Sequence, residues 1–279
     1  MAFQHVAGRV TLVTGAARGI GRAIAAAFLD QGALVALCDV DADLLHHTAR
    51  DLGVKGGRLQ AYELDVADAE AFESVFARVE HELGPVDVLV NNAGIMPVGP
   101  FLQLSAVLDR RMLEVNLFGV INGMRAALPR MERRHRGHVV NIASVAGKTG
   151  VPFIAVYAAS KHAVVGLTES VRAEMADSGI GFSYVLPAFV DTELTVGTGR
   201  LPFPPVTCPS EVADAVVRAV QTGKVDVYVP RVIRLAVTIP TLLPRVIHEP
   251  LARLFRLHRV FRDVDEDARA SYRDRILAT

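Results

Sequence analysis

Short apolar runs alternate along this chain with longer segments in which apolar residues recur every three or four positions. The runs at 9–14, 33–38, 58–64, 86–90, 137–143, 180–186 and 225–229 read as buried strands. Helical spacing fills the gaps: 22–31, a segment from near Asp41, the set Phe72, Val75, Phe76 and Val79, then 106–133, from Tyr157 to about Ala176, and 209–222. Seven strands alternating with helices predict an α/β fold, a doubly wound seven-stranded parallel sheet in a three-layer α/β/α arrangement with right-handed crossovers. No internal repeat, linker or low-complexity stretch interrupts it. One domain over 1–230 is expected, with a C-terminal helical extension, 231–279, packed on it.

Chemistry gathers where these strands end. The first strand runs into Gly15-Ala16-Ala17-Arg18-Gly19-Ile20-Gly21 and then a helix. Glycines let a backbone approach a pyrophosphate, and a helix N-terminus offers N–H donors and a positive dipole end, so the stretch reads as a phosphate-binding turn, with a plain strand-to-helix connection as the alternative. Asp39 closes the second strand, placed to bind adenosine ribose hydroxyls and to repel a 2′-phosphate. That favours NAD over NADP. Arg18 pulls the other way, because a basic residue in the turn can accept a phosphate, and Asp39 has an alternative use as a helix cap. Asn91-Asn92-Ala93-Gly94 follows the fourth strand, at the ligand-binding edge of such a sheet, although asparagines there also satisfy turn backbone. Asn116 lies inside a helical segment, which means either a local kink or a polar relay.

Ser144 sits just past the fifth strand, thirteen residues before Tyr157, and Lys161 follows four residues later. Positions i and i+4 share a helix face, so Tyr157 and Lys161 point the same way. A tyrosine with a pKa of about 10 is a poor base near neutrality, and an adjacent ammonium favours its phenolate. A serine hydroxyl at the same point would hold a substrate oxygen. Such a group moves a proton to or from an alcohol or carbonyl, but Tyr-x-x-x-Lys alone is common in helices.

Composition narrows the classes. The chain has 279 residues, 51% of them hydrophobic, with 30 basic and 30 acidic side chains. There is no global charge excess to argue for nucleic acid. Two cysteines, Cys38 and Cys208, suit a reducing compartment. The first residues do not read as a signal peptide and no apolar stretch is long enough to span a bilayer, so a cytoplasmic protein is expected. No metal site is expected.

Thr14-Gly15-x-x-x-Gly19-x-Gly21, Asn91-Asn92-Ala93-Gly94, Asn116, Ser144, Tyr157-x-x-x-Lys161 and Pro187-Ala188-Phe189-Val190-Asp191-Thr192, taken together and in this order, resemble the short-chain dehydrogenase/reductase family over about residues 6–230. The resemblance implies that Tyr157 is the acid/base, and that Lys161 lowers its pKa and holds the nicotinamide ribose. It further implies that Ser144 orients the substrate and Asn116 anchors a relay water. Gly15, Arg18, Gly19, Ile20, Gly21 and Asp39 would bind the cofactor's phosphates and ribose, with Asp65 and Val66 at adenine. Asn92, Ala93 and Gly94 would back the cofactor, and Pro187, Val190 and Thr192 would hold the carboxamide. Ala188 departs from the family's usual glycine. Homodimers or homotetramers are implied as well, through the 106–133 and 151–176 helices.

The substrate is expected between two apolar walls. One comprises Leu194, Val196, Leu201, Phe203, Pro204 and Pro205, with Gly197 and Gly199 as hinges; the other comprises Met96, Pro97, Val98 and Phe101. No basic pair stands there for a phosphate or carboxylate, so a lipophilic secondary alcohol or ketone is favoured over a sugar or polyol. A non-catalytic cofactor sensor would not need the proton relay. An epimerase or dehydratase would need a larger substrate domain. The tail carries an amphipathic segment from about Pro250, with Leu251, Leu254, Phe255 and Phe261 opposed by Arg253, Arg256, Arg259 and Arg262, and an acidic turn at 263–267. It is expected to cover the cleft or a subunit, with peripheral membrane contact as the alternative.

Overall fold

The computed structural model describes residues 2–53, 56–199, 206–242, 260–262 and 264–278. Seven parallel strands form its sheet: β1 (Val10–Thr14), β2 (Leu34–Asp39), β3 (Leu59–Glu63), β4 (Val86–Asn91), β5 (Gly137–Ile142), β6 (Ile180–Pro187) and β7 (Asp226–Val229). Their order is β3-β2-β1-β4-β5-β6-β7. The winding reverses between β1 and β4, the crevice where open parallel sheets bind ligands. The expected seven-stranded doubly wound sheet is therefore present.

The strands alternate between two cores. Leu12, Leu89 and Val139 face α3 (Ala69–Leu83), α5 (Gly119–Arg133) and α6 (Ala155–Glu174). Val13, Val90 and Val140 face α1 (Gly19–Asp30), α2 (Ala42–Asp51) and α7 (Pro209–Thr222). A strand covered on both faces has no polar side, which is why the apolar runs were unbroken. Each large side chain removed from water contributes roughly 1.5–3 kcal/mol.

The single helix expected over 106–133 is instead three pieces: α4 (Ala106–Leu113), a π-helical turn at Glu114–Phe118, and α5. The wide turn carries Asn116, fully buried, toward the site. Two glycines allow α5 to lie against its neighbours. A methyl on Gly119 would come within 2.6 Å of Val66, and one on Gly123 within 2.3 Å of Asn91.

Among the described residues two further helices follow β7: α8 (Ile233–Leu242) and α9 (Glu266–Ala278). Ile233 and Val237 join the core beside Tyr228, and Val260 and Phe261 pack with Met96, Met112, Ile154 and Tyr157. The acidic stretch expected as a turn instead starts α9, since Asp265 accepts a hydrogen bond from the Ala268 amide at 3.0 Å and Glu266 is already helical. The expected amphipathic segment at 250–259, Asp263, and the loop residues Leu201, Phe203, Pro204 and Pro205 lie outside the described residues.

Candidate active site

One cleft of about 980 Å³ runs along the C-terminal ends of β1, β2, β4, β5 and β6. Every site residue expected from the sequence lines it except Gly21 and Asn116, which sit behind its wall.

At one end is the glycine turn. Gly15 has φ +63° and Gly19 φ +55°, backbone that favours glycine. The turn is held from below. Thr14 Oγ1 accepts from the amides of Asn92 and Ala93 at 3.0 and 3.1 Å, and Asn92 Nδ2 donates to the carbonyls of Thr14 and Gly15 at 2.9 and 3.1 Å. Helix α1 then begins with neither a capping side chain nor an acidic residue in its first turn. By contrast α2, α3 and α4 are capped by Asp41, Asp68 and Ser105. The first N–H groups of α1 are left to serve an anion.

Asp39 accepts from the Ala17 amide at 2.9 Å and the Asp41 amide at 3.1 Å. Burial raises its carboxyl above the usual range, against the pull of those two amides. Arg18 is paired with both Asp41 and Glu193, the latter at 3.1 Å. Asp65 accepts from the Ala67 amide at 3.0 Å and from Arg111 at 2.9 Å.

At the other end stand the four polar residues. Asn116 Oδ1 accepts from the Ile95 amide at 2.8 Å, while its Nδ2 donates to the Ile95 carbonyl at 2.9 Å and to Ser160 Oγ at 3.2 Å. Ser160 in turn donates to the Tyr157 carbonyl at 2.7 Å, so Asn116 ties the segment after β4 to the tyrosine's helix. Lys161 Nζ donates to the Ile142 carbonyl at 2.9 Å and lies 5.7 Å from the centre of the Tyr157 ring. A methyl on Gly94 would approach Asn116 Oδ1 at 3.2 Å and Lys161 Nζ at 3.5 Å, so these two side chains already fill the space beside this glycine.

The pKa balance differs from the expectation. Burial pushes the Tyr157 phenol up to about 12, opposed by a hydrogen bond with Ser144. Burial also brings Lys161 down to about 8. Desolvation disfavours the charged form of each and leads both shifts, where the sequence expected the ammonium to lower the phenol.

The loop after β6, expected to hold the carboxamide, is a short, braced turn. Ala188 donates its amide to the Val229 carbonyl at 2.8 Å, and Val190 bridges Thr207. The methyl of Ala188 is thus accommodated at the sheet margin. Of the expected substrate walls, Met96 and Leu194 line the cleft, whereas Pro97, Val98 and Phe101 do not, and Phe101 is 63% exposed. Gly197 and Gly199 are docking points rather than hinges. The Gly199 amide donates to the Val260 carbonyl at 2.7 Å, the Asp265 amide donates to the Gly197 carbonyl at 2.9 Å, and a methyl on Gly197 would meet the Asp265 carbonyl at 2.7 Å.

Sequence reasoning named Phe261 in a segment expected to cover the cleft, and assigned no role to Arg269 and Tyr272, which close this end with it. Arg269, 7% exposed, donates to the carbonyls of Leu194 and Val196 at 2.9 Å each and of Met96 at 2.8 Å. It joins both substrate walls to α9. Tyr272 of α9 accepts from the Met96 amide at 2.8 Å, and Phe261 stacks on Phe189 at 5.7 Å. Arg269→Ala leaves those buried carbonyls without this donor, at an expected cost of about 3 kcal/mol. Thermal melting should show a fall of roughly 6–12 °C. A change under about 2 °C would mean that α9 is held by other contacts.

Comparison with known proteins places these features in a family. The model for short chain dehydrogenases matches residues 9–200. Ketoacyl reductase HetN from Nostoc sp. is 35% identical over 226 residues, covering 80% of this chain and 78% of that protein. A protein named Probable oxidoreductase EphD from Mycobacterium tuberculosis is 41% identical over 188 residues, 67% of this chain but only 32% of its own length. The chain thus aligns with about a third of that longer relative. A crystal structure of a short chain dehydrogenase/reductase from Burkholderia phymatum in complex with NAD superimposes with a TM-score of 0.78 at 27% identity, covering 90% of this chain and 96% of that one.

Proposed function

The chain belongs to the short-chain dehydrogenase family, and on that premise we propose an NAD(H)-dependent oxidoreductase acting on a lipophilic secondary alcohol or ketone. The observation that carries this reading is one continuous cleft with an uncapped helix N-terminus at one end and Ser144, Tyr157 and Lys161 at the other. The residues fit a dinucleotide. Gly15 and Gly19 take the positive-φ backbone of a phosphate turn, the uncapped start of α1 would serve its pyrophosphate, and Asp39 would offer a carboxylate to its ribose.

A bound nicotinamide supplies or receives the hydride. Ser144 holds the substrate oxygen. In the reductive direction Tyr157 gives that oxygen its proton, and in the oxidative direction it takes the proton back. Lys161, fixed by the Ile142 carbonyl, carries positive charge beside the phenol, and Asn116 fixes the backbone of Ile95 on the same wall. The apolar surroundings from Met96, Ile154, Phe189 and Leu194 support a lipophilic substrate over a polyol.

Asp39 supports NAD over NADP. Its carboxylate would repel a 2′-phosphate, and Arg18, the basic residue of the turn, is already paired with Asp41 and Glu193. We expect kcat/KM with NADH to exceed that with NADPH by at least about 100-fold, since bringing like charges together costs several kcal/mol. Asp39→Asn should narrow the ratio below about tenfold. Equal use of both cofactors by the native chain would overturn the assignment. The test of the whole reading is NAD(P)H oxidation over a panel of aliphatic, steroidal and polyol-derived ketones; turnover confined to polar sugars would replace the lipophilic assignment.

Exposed Val107 and Phe118, on α4 and the π-turn, support pairing with a second copy of the chain. Among the described residues no helix is long and apolar enough to cross a membrane, and free Cys38 and Cys208 suit the cytoplasm.

A further inference from the structure

A second phenol stands in the cleft, and the proton-transfer scheme above does not use it. Tyr272 comes from α9, lines the same cleft as Tyr157, and is only 5% exposed. Its oxygen accepts the Met96 amide at 2.8 Å, which fixes the ring and uses an oxygen lone pair, not the hydroxyl proton. Among the described residues that is its one recorded hydrogen bond. A buried hydroxyl whose donor goes unused is costly, and the cleft is the space it borders. Two guanidiniums lie on the ring, Arg269 at 4.9 Å and Arg275 at 5.5 Å, and both oppose the rise that burial imposes on the phenol. Arg269 also pins the Met96 and Leu194 carbonyls, so the donor is held rigidly relative to both walls. The two phenols sense each other, since Tyr272 adds to the upward push on Tyr157.

Resting on the oxidoreductase reading, we propose that Tyr272 is a substrate-positioning residue that donates a hydrogen bond to a second oxygen of the substrate, close to the reacting carbon. The preferred substrate is then a lipophilic ketone bearing a neighbouring ester or thioester carbonyl, or the corresponding hydroxy compound, and not a simple aliphatic ketone. Ser144 and Tyr157 hold the reacting oxygen while Tyr272 holds its neighbour, which fixes the face of the carbonyl presented for hydride transfer.

A matched pair of ketones tests this. Methyl 3-oxodecanoate and dodecan-5-one have the same chain length and the same position of the reacting carbonyl, and differ in the ester. Native protein and Tyr272→Phe are compared by NADH oxidation. The native chain should show a KM for the oxo ester about tenfold below that for the plain ketone. Tyr272→Phe should raise the oxo ester KM about fivefold to tenfold, with the plain ketone changed less than about twofold. A loosened Met96 wall would instead weaken both ketones alike, and that outcome overturns the positioning role. Should Tyr272→Phe not fold, equal KM values for the two ketones on the native chain overturn it as well. No turnover of either ketone with NADH or NADPH sinks the lipophilic oxidoreductase reading itself, and is thereby distinguished from failure of the Tyr272 assignment.

Discussion

Tyr157→Phe is expected to lower kcat by about 1,000-fold while leaving the Kd for NADH within about twofold, because a positioned acid/base contributes roughly 10²–10⁴. The substitution is narrow. Phenylalanine keeps the ring that packs with Met96, Met112, Ala146 and Ile154. It removes only the hydroxyl, whose partner is Ser144. Lys161 retains the Ile142 carbonyl, so its place on the cleft wall survives. The helix bearing residue 157 also keeps its tie to Asn116 through the Ser160 side chain, since Ser160 Oγ donates to the backbone carbonyl of residue 157, which the substitution leaves in place. Stopped turnover with intact binding, read from single-turnover fluorescence of NADH, therefore isolates the proton transfer. A variant retaining more than a tenth of native kcat would remove Tyr157 from the chemistry.

The pH profile should follow from the two opposed shifts. A phenol near 12 keeps its proton throughout the neutral range, which is the form that reduction needs. Lys161 loses its charge as pH rises through about 8, and an uncharged amine no longer stabilises the phenolate left by proton donation. Reduction is expected to be level below that value and to fall above it. Oxidation needs the phenolate and should rise with pH. Lys161→Met should abolish the break near pH 8 in the reductive profile; a break that persists would assign it to another group.

What the sequence made legible depended on how local each signal was. The strands could be read because both faces of the sheet are covered, so Leu12 and Val13 are both apolar even though they enter different cores. The cofactor end could be read because its parts are strand termini followed at once by turns. The interruption at 114–118 could be read only in part: Asn116 suggests a local kink or a polar relay, but nothing in the segment specifies a π-turn, whose flanking Gly119 lies against Val66 and whose Asn116 bonds Ile95. The roof was hidden for a different reason. Arg269 reaches carbonyls 73, 75 and 173 residues away, and backbone acceptors carry no residue-type signature. Its helix, Glu266–Ala278, is too mixed in character to declare a buried face. The pKa of Tyr157 was misjudged because residue spacing reports neighbours and not dehydration.

Gly21→Ala should produce the opposite phenotype to Tyr157→Phe: cofactor binding lost first, and stability with it. The added methyl would stand 2.0 Å from the Gly15 carbonyl oxygen and 2.6 Å from Asn92 Nδ2. Neither neighbour can retreat. Gly15 is itself pressed against the next segment, where a methyl of its own would lie 2.8 Å from the Ala93 Cα, and it sits at φ +63°. Asn92 is committed to the Thr14 and Gly15 carbonyls. Relief must come from moving the start of α1, the uncapped element to which the proposed function assigns the pyrophosphate. A shift on the order of 1 Å costs about 100-fold where geometry decides the interaction. We expect the Kd for NADH to rise at least about 100-fold and stability to fall by about 3 kcal/mol, the upper range for overpacking. Because the chemistry at Tyr157 lies at the far end of the cleft, saturating NADH should recover much of kcat in any protein that remains folded. Unchanged NADH affinity would show that the dinucleotide does not lie across this turn, whatever happens at Tyr157.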